Sequence, residues 1–324
     1  MKRDKPFRFA RTYVRNEMYN IVSKLIIYGN MPKDCILMEL SSIIREYQES
    51  EEQIRDLNAG KVKEHRAMIE NKKGEIITRL YHQVKRILVV ATDYGFDDNL
   101  WHNYLTYLLI TDENPFTLTC EKMGASEGSV NHFAENDFKQ FQALFDYDFA
   151  PMEEVLGIDC FSQLEHYKAI GKPELMYNKN VSEKVRSLSK KLESATDEKQ
   201  FFHYVTEFYK DYGVGMFGLN KAFRITDEVP FRFKAINNMD KVTLDDLVGY
   251  EIQKKKLIDN TEAFVEGRKA NNCLLFGDSG TGKSTSIKAI VNEFYDQGLR
   301  MIEIYKHQFK DCLLYTSPSP RDCS

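Results

Sequence analysis

The sequence predicts a mainly α-helical region over residues 1–230, followed by part of an α/β domain over residues 231–311. In the first part, apolar residues recur at every third or fourth position, which is the spacing of one helix face. A polar linker containing proline, over residues 226–240, separates the two parts. Beyond it the pattern changes to alternating helix and strand, and we expect the α/β domain to be truncated after its second strand.

The composition is typical of an ordinary globular protein. Of the 324 residues, 42% are hydrophobic and 29% are charged, and the net charge is -4. This charge does not favour nucleic acid or an anionic membrane as a partner, and we interpret the basic residues 1–16 as a solvated terminus. No run approaches the ~20 apolar residues that span a bilayer, and Lys24 interrupts the apolar run over 21–28. We therefore expect a cytoplasmic protein without a membrane span.

The helical region contains a turn near residue 95, where a division into two subdomains is one arrangement that fits the pattern. Polar, charge-dense residues 48–73 indicate an exposed helical hairpin. Aromatic residues at helical spacing within 201–209 are typical of a core or an interface. The predicted helices cover residues 12–28, 34–44, 71–90, 100–110, 136–145, 182–192 and 198–212, and another starts at Asn114-Pro115, where a capping side chain precedes proline.

A glycine-rich loop opens the α/β domain and matches G-x-x-x-x-G-K-[ST] without a mismatch. Residues 272–276 (Asn-Cys-Leu-Leu-Phe) precede it and predict a buried parallel strand. Apolar residues at 287, 290, 291 and 294 follow at the spacing of one helix face, and that helix stops at Gly298. The loop consists of Gly277, Asp278, Ser279, Gly280, Thr281, Gly282, Lys283 and Ser284.

Each residue type in this loop suits the binding of ATP. Glycines permit close approach of the backbone, so that N–H groups converge on phosphates at a helix N-terminus. We expect Lys283 to contact the β- and γ-phosphates, Ser284 to offer its hydroxyl to Mg²⁺, and Thr285 to reach the α-phosphate. A glycine loop serving only as a tight turn would leave the lysine and the hydroxyl unexplained.

Residues 244–251 (Leu-Asp-Asp-Leu-Val-Gly-Tyr-Glu) resemble the D-L-[IV]-G-x-[ED] element that precedes the phosphate loop of AAA+ ATPases. The resemblance implies that the backbone at Val248 and Gly249 lies against adenine. The continuous segment 242–303 is similar to a bacterial ATP-binding protein family filed as domain of unknown function 815, and residues 112–116 and 213–220 extend the similarity. The resemblance implies an AAA+ P-loop NTPase fold.

Several parts of an AAA+ module do not follow Ser284. These are the apolar strand ending in Asp-Glu, the polar sensor, the arginine finger and the helical lid. Residues 301–304 predict the second strand, but Glu303 is a lone alternating acidic residue. Residues 87–93 superficially fit the acidic motif, yet they precede the loop and lack the following Glu, so we interpret them as core.

Residues 312–324 resemble the read-through of a sequencing adapter, and we expect the genuine protein sequence to end near Asp311. A natural disordered Ser/Pro tail is the alternative. On the first interpretation the rest of the AAA+ core is lost, and the fragment binds nucleotide weakly and hydrolyses it poorly.

Residues 213–218 match the dinucleotide fingerprint G-x-G-x-x-G. That fingerprint follows a strand, whereas an amphipathic aromatic helix precedes it here. We interpret it as a glycine turn that ends the helix.

Three functions follow from these observations. The first is a Mg²⁺-dependent AAA+ ATPase whose helical region recognises an unknown protein partner, with the homo-oligomeric rings that the resemblance implies. The second is a nucleotide sensor or scaffold that binds ATP without turnover. The third and weakest is a small-molecule kinase, which would carry an acceptor-binding insert.

Overall fold

The computed structural model describes residues 17–57, 62–125, 128–170, 179–226, 232–236 and 239–308. These residues form a helix-rich protein with a small three-stranded mixed sheet. Within the same ranges, no helix combines the length and the apolar character needed to cross a membrane. The predicted tail at 312–324 lies outside the described residues.

The helices follow one another along most of the chain, and two of them lie between β2 and β3 in sequence order. They are α1 (Glu17–Val22), α2 (Ile36–Leu57), α3 (Val62–Tyr94), α4 (Leu100–Thr111), α5 (Pro115–Met123), α6 (Ser129–Phe145), α7 (Ala150–Leu156), α8 (Cys160–Glu165), α9 (Lys179–Glu193), α10 (Glu198–Tyr212), α11 (Gly215–Leu219), α12 (Glu251–Val265) and α13 (Lys283–Phe294). Most of the predicted helices are confirmed, and α10 has the predicted bounds.

Aromatic rings fill the core of the helical region. Trp101 on α4 is 2% exposed, and its indole Nε1 donates to a backbone carbonyl at the end of α6 at 2.9 Å. Phe138 on α6 packs against Phe116 and Phe201, with ring centroids 5.7 and 6.0 Å apart. Each such ring stabilises the fold by about 1.5–3 kcal/mol on leaving water. The aromatic stripe at 201–209 is therefore core, as predicted.

Local capping sets the start of α5. The Asn114 side chain accepts from the backbone N–H groups of Phe116 and Thr117, and the Thr117 hydroxyl accepts from the Asn114 N–H in return. Three N–H donors that the helix leaves without partners are satisfied in this way. The helix start predicted at Asn114-Pro115 is confirmed.

The first helix is shorter than the predicted 12–28, because α1 ends at Val22. The chain then turns, and the N–H groups of residues 26, 27 and 28 donate to the Asp137 carboxylate at 2.7–3.0 Å. Asp137 is fully buried. The apolar spacing over 21–28 extended past the helix end because these side chains still pack against the core from the turn.

Helices α2 and α3 pack against each other, whereas the turn of the exposed hairpin predicted at 48–73 lies at residues 58–61, outside the described residues. Arg79 pairs with Glu46 at 2.6 Å, and the Gln83 amide donates to Glu39 at 2.5 Å. Residues 87–93 lie within α3, where Ile87 and Ala91 are buried and Val89 on the opposite face is 50% exposed. The interpretation of this segment as core, and not as an acidic strand, is confirmed.

The sheet has the strand order β2-β1-β3, with β1 (Ala222–Ile225), β2 (Phe233–Ala235) and β3 (Met301–Glu303). β1 pairs with β2 antiparallel and with β3 parallel, so that Arg224 lies opposite Glu303 and bonds to it at 2.6 Å. The sequence predicted β3, at residues 301–304, but missed β1. β1 precedes the boundary predicted at residue 231. It is the central strand of the sheet and pairs with a neighbour along each of its two edges.

The prediction of a buried strand at residues 272–276 is wrong. These residues form no strand, and the side chains of Leu274 and Phe276 are 85% and 87% exposed. A strand requires a neighbour for its backbone N–H and C=O groups, and no described strand lies beside this segment. Apolar composition alone therefore gave the wrong local structure.

Candidate functional site

The glycine-rich loop leads directly into α13. Gly282 is the residue before the helix and has φ of 78°, and Gly277 and Gly280 have φ of 143° and 81°. All three lie in the region of positive φ that strains other residues. The first helical bond runs from Ser286 N to Gly282 O at 2.8 Å. The N–H groups of residues 283–285 therefore have no acceptor within the helix, which favours negative charge at this end.

Lys283 folds back over the loop that precedes it. Its ammonium donates to the carbonyls of Gly277 at 2.9 Å and Asp278 at 2.5 Å, and to the Thr281 hydroxyl at 3.3 Å. The Thr281 hydroxyl also donates to the Asp278 carbonyl at 2.9 Å and so closes the loop. The structure thus places one positive charge at the centre of the loop and next to the helix N-terminus.

The two hydroxyl residues of the predicted site lie in the first turn of α13. Ser284 is exposed and Thr285 is partly buried. Residues 277–280, including Asp278 and Ser279, are exposed as well. The loop therefore opens to solvent on the side where a phosphate group would approach.

The segment 244–249 lies against the loop through one side chain. A Cβ built on Gly282 would be 3.6 Å from Leu247 Cδ2, an ordinary van der Waals distance. The Leu247 carbonyl accepts from the Lys254 ammonium at 2.7 Å, which fixes the segment to α12. Val248 is 93% exposed. Leu247, the leucine of the D-L-[IV]-G-x-[ED] element, therefore lies next to the loop at Gly282.

The backbone conformation after Val248 is unusual. Gly249 has φ of 84° and Tyr250, the residue before α12, has φ of 58°. A non-glycine residue in the left-handed region costs about 1–2 kcal/mol, and such strain is concentrated at functional sites. At the other end of the segment, Asp246 accepts from the Thr243 N–H and hydroxyl, and these bonds lower the pKa of Asp246.

Side chains of α13 hold the preceding segment in place. Asn292 donates to the carbonyls of Asp240 and Val242, both at 2.9 Å, and Lys288 pairs with Asp240 at 2.6 Å. On α12, the Asn260 side chain exchanges two hydrogen bonds of 2.8 Å with the Asn271 backbone. The sequence offered no signal for these contacts, because side chains that bind distant backbone follow no fixed spacing.

The far end of α13 meets the helical region at Tyr295. Burial, followed by the positive charge of Arg300, lowers the pKa of Lys184 on α9 to about 7. The Lys184 ammonium lies 4.1 Å from the centre of the Tyr212 ring and 4.2 Å from that of Tyr295, and it bonds to the Tyr295 hydroxyl. Sequence reasoning missed this cluster as well.

Ser284, through its hydroxyl, is the residue of the predicted site that would bind Mg²⁺. Across the described ranges, no group of three or more His, Cys, Asp or Glu side chains could hold a metal ion. Mg²⁺ commonly takes most of its ligands from substrate phosphates and water. A metal at Ser284 would therefore depend on phosphate oxygens for its remaining ligands.

The comparisons with known proteins point to one family. The model of the family described as "Protein of unknown function (DUF815)" matches residues 219–314. The match starts next to β1 and includes the loop, α13 and β3, and it supports membership of that family. No curated protein and no solved structure matches the chain.

Proposed function

We propose that the protein binds ATP at residues 277–285 and is a P-loop NTPase of the AAA+ type. The observation that carries this proposal is the Lys283 ammonium, held over the glycine loop at the N-terminus of α13. A helix N-terminus with glycine-rich backbone and a lysine is a recurrent phosphate-binding arrangement.

Binding would require Lys283 to exchange bonds. Its ammonium leaves the carbonyls of Gly277 and Asp278 and donates to the β- and γ-phosphates instead, and these are charge-assisted bonds that are stronger than those to neutral carbonyls. The free N–H groups at the start of α13 donate to the same phosphates. Thr285 contacts the α-phosphate, and Ser284 provides one ligand to Mg²⁺, which would neutralise phosphate charge when bound.

The segment 244–249 supplies the base-binding side in this proposal. The Leu247 side chain lies next to Gly282, so the exposed residues Val248 and Gly249 follow a residue beside the loop. The left-handed conformations at Gly249 and Tyr250 turn the chain there. An adenine ring placed against this backbone would cover apolar surface that is otherwise in water.

The proposed activity is ATP hydrolysis coupled to action on a protein partner that the helical region recognises. A sensor or scaffold that binds ATP without turnover has the same loop and differs in its chemistry. Steady-state phosphate release separates the two. In a chain that also carries the acidic strand and polar sensor expected of an AAA+ module, MgATP binding with phosphate release no faster than in a Lys283→Ala variant would identify a sensor.

The test of nucleotide binding is calorimetry of MgATP with the 324-residue chain. Loss of one charge-assisted contact, at about 1.5–3 kcal/mol, predicts about tenfold to hundredfold weaker binding for Lys283→Ala. Lys256→Ala is the matched control, because Lys256 is an exposed lysine on α12. Equal affinities of the wild type and Lys283→Ala, or a wild type that does not bind, would refute the assignment.

A further inference from the structure

Tyr295, the residue directly after α13, is enclosed by three basic side chains. The side chain is 3% exposed, and its hydroxyl donates to the Gly218 carbonyl at 2.8 Å. The Arg300 guanidinium lies 4.0 Å from the ring centre, Lys184 lies at 4.2 Å and Lys221 at 5.0 Å. A cation over a buried ring stabilises by about 0.5–2 kcal/mol, which applies here to Arg300 and Lys221. These contacts determine where the end of α13 sits.

Arg300 ties this ring to the end of the helical region. Its guanidinium donates to the carbonyls of Phe217 at 2.5 Å, Tyr295 at 2.8 Å and Tyr212 at 3.2 Å. Tyr212 is the last residue of α10, and Phe217 lies in α11. One side chain thus links the end of α13, which precedes β3, to two helices of the preceding region. We refer to Lys184, Tyr295 and Arg300 as the junction.

The junction has little room for adjustment on one side and open space on the other. A Cβ built on Gly218 would lie 2.4 Å from the Gly213 carbonyl carbon, so the backbone that accepts from Tyr295 is already in close contact. Beside it, a cleft of about 360 Å³ opens between α9 and α10 and is lined by Lys184, Tyr212 and Tyr295. Tyr295 could therefore shift toward the cleft but not toward Gly213.

Helix α13 connects the junction to the glycine loop. With twelve residues it spans about 18 Å, and a helix moves as a rigid unit over this length. Asn292, on its last turns, accepts from Lys221 at 3.3 Å and donates to the segment at residues 240–242. A displacement at the Lys283 end therefore changes the contacts of both the segment and the junction.

We propose that the junction couples nucleotide binding at the glycine loop to the conformation of the helical region. This inference rests on the proposed function, because it requires a nucleotide at Lys283. When Lys283 exchanges its carbonyl contacts for phosphate, α13 shifts, and Tyr295 and Arg300 transmit the shift to α10 and α11. Coupling of this kind needs contacts that differ between the two states, and it acts in both directions.

The test is hydrogen exchange of the 324-residue chain with and without MgATP, compared with Tyr295→Phe. The variant keeps the ring but loses the bonds from the hydroxyl to Gly218 and Lys184. Tyr305→Phe is the matched control, since Tyr305 is 43% exposed and lies outside the junction. In the wild type and the control, we expect MgATP to change exchange at residues 209–219 about fivefold, the low end of ordinary coupling. In Tyr295→Phe we expect this response to fall by half or more.

Calorimetry on the same samples separates the two proposals. If the wild type binds MgATP but exchange at 209–219 does not respond, or responds equally in Tyr295→Phe, the coupling is refuted and the nucleotide site stands. If the wild type does not bind, both proposals fail. A second variant, Arg300→Gln, tests the same coupling while the Tyr295 hydroxyl is kept. We expect its exchange response to fall as well, and an unchanged response in this variant would also overturn the coupling.

Discussion

Replacement of Lys184 by methionine should change how the stability of the protein depends on pH. Burial and the nearby Arg300 lower the pKa of this lysine from 10.5 to about 7. Methionine fills a similar volume without a charge. Protonated Lys184 therefore lowers the free energy of unfolding of the wild type, and the variant lacks this penalty.

The size and sign of the effect follow from the two pKa values. A fall from 10.5 to about 7, at 1.36 kcal/mol for each pKa unit, corresponds to a cost of about 5 kcal/mol below pH 7. Between pH 7 and 10.5 the unfolded chain binds the proton more tightly than the folded one, so wild-type stability rises with pH. Relative to Lys184→Met, we expect a rise of about 2 kcal/mol from pH 7 to pH 9, and little change from pH 6 to pH 7.

The assay is urea unfolding of both proteins at pH 6, 7, 8 and 9, with the free energy of unfolding compared at each pH. Other titrating groups are common to the two proteins and cancel in the difference. A difference that stays constant from pH 7 to pH 9 would show that Lys184 is charged throughout and would refute the burial argument.

Two further predictions concern the helical region. Asp137→Ala removes the acceptor of three N–H groups at residues 26–28, and we expect a loss of about 3–5 kcal/mol in urea unfolding; a loss below about 1 kcal/mol would contradict this. Gly218→Ala places a Cβ against the Gly213 backbone and should lower the melting temperature, whereas Gly74→Ala, with no atom within 4 Å in α3, should raise it slightly. Equal shifts in the two glycine variants would contradict the close contact.

The helices of this protein could be predicted because their signals are local. The cap at Asn114 lies within three residues of its partners, and the apolar faces of α4 and α10 repeat within the helix itself. The glycine at 213, with φ of 82°, ends α10 as the sequence predicted. The prediction failed where the outcome depended on a partner far along the chain, as for the turn at residues 24–28 and its bonds to Asp137.

The strands show the same limit. β1 has four residues and too little pattern to be recognised alone, and it is a strand because β2 and β3 pair with it. Residues 272–276 have the opposite combination, with a strong apolar pattern and no strand beside them among the described residues. Strand formation depends on pairing. Composition therefore missed one strand, β1, and predicted another, at 272–276, that does not form.

The candidate site shows the same difference between contacts that are local in sequence and contacts that are distant. Lys283 reaches the Gly277 carbonyl only six residues back, so the hydrogen bonds of its ammonium lie within one short motif. Tyr295 bonds to Gly218 across 77 residues and to Lys184 across 111 residues. A motif can therefore reveal where a phosphate would bind, but only the folded chain reveals what the other end of the same helix touches. For that reason, any role of the helical region in nucleotide binding has to be sought at the junction and not in the loop.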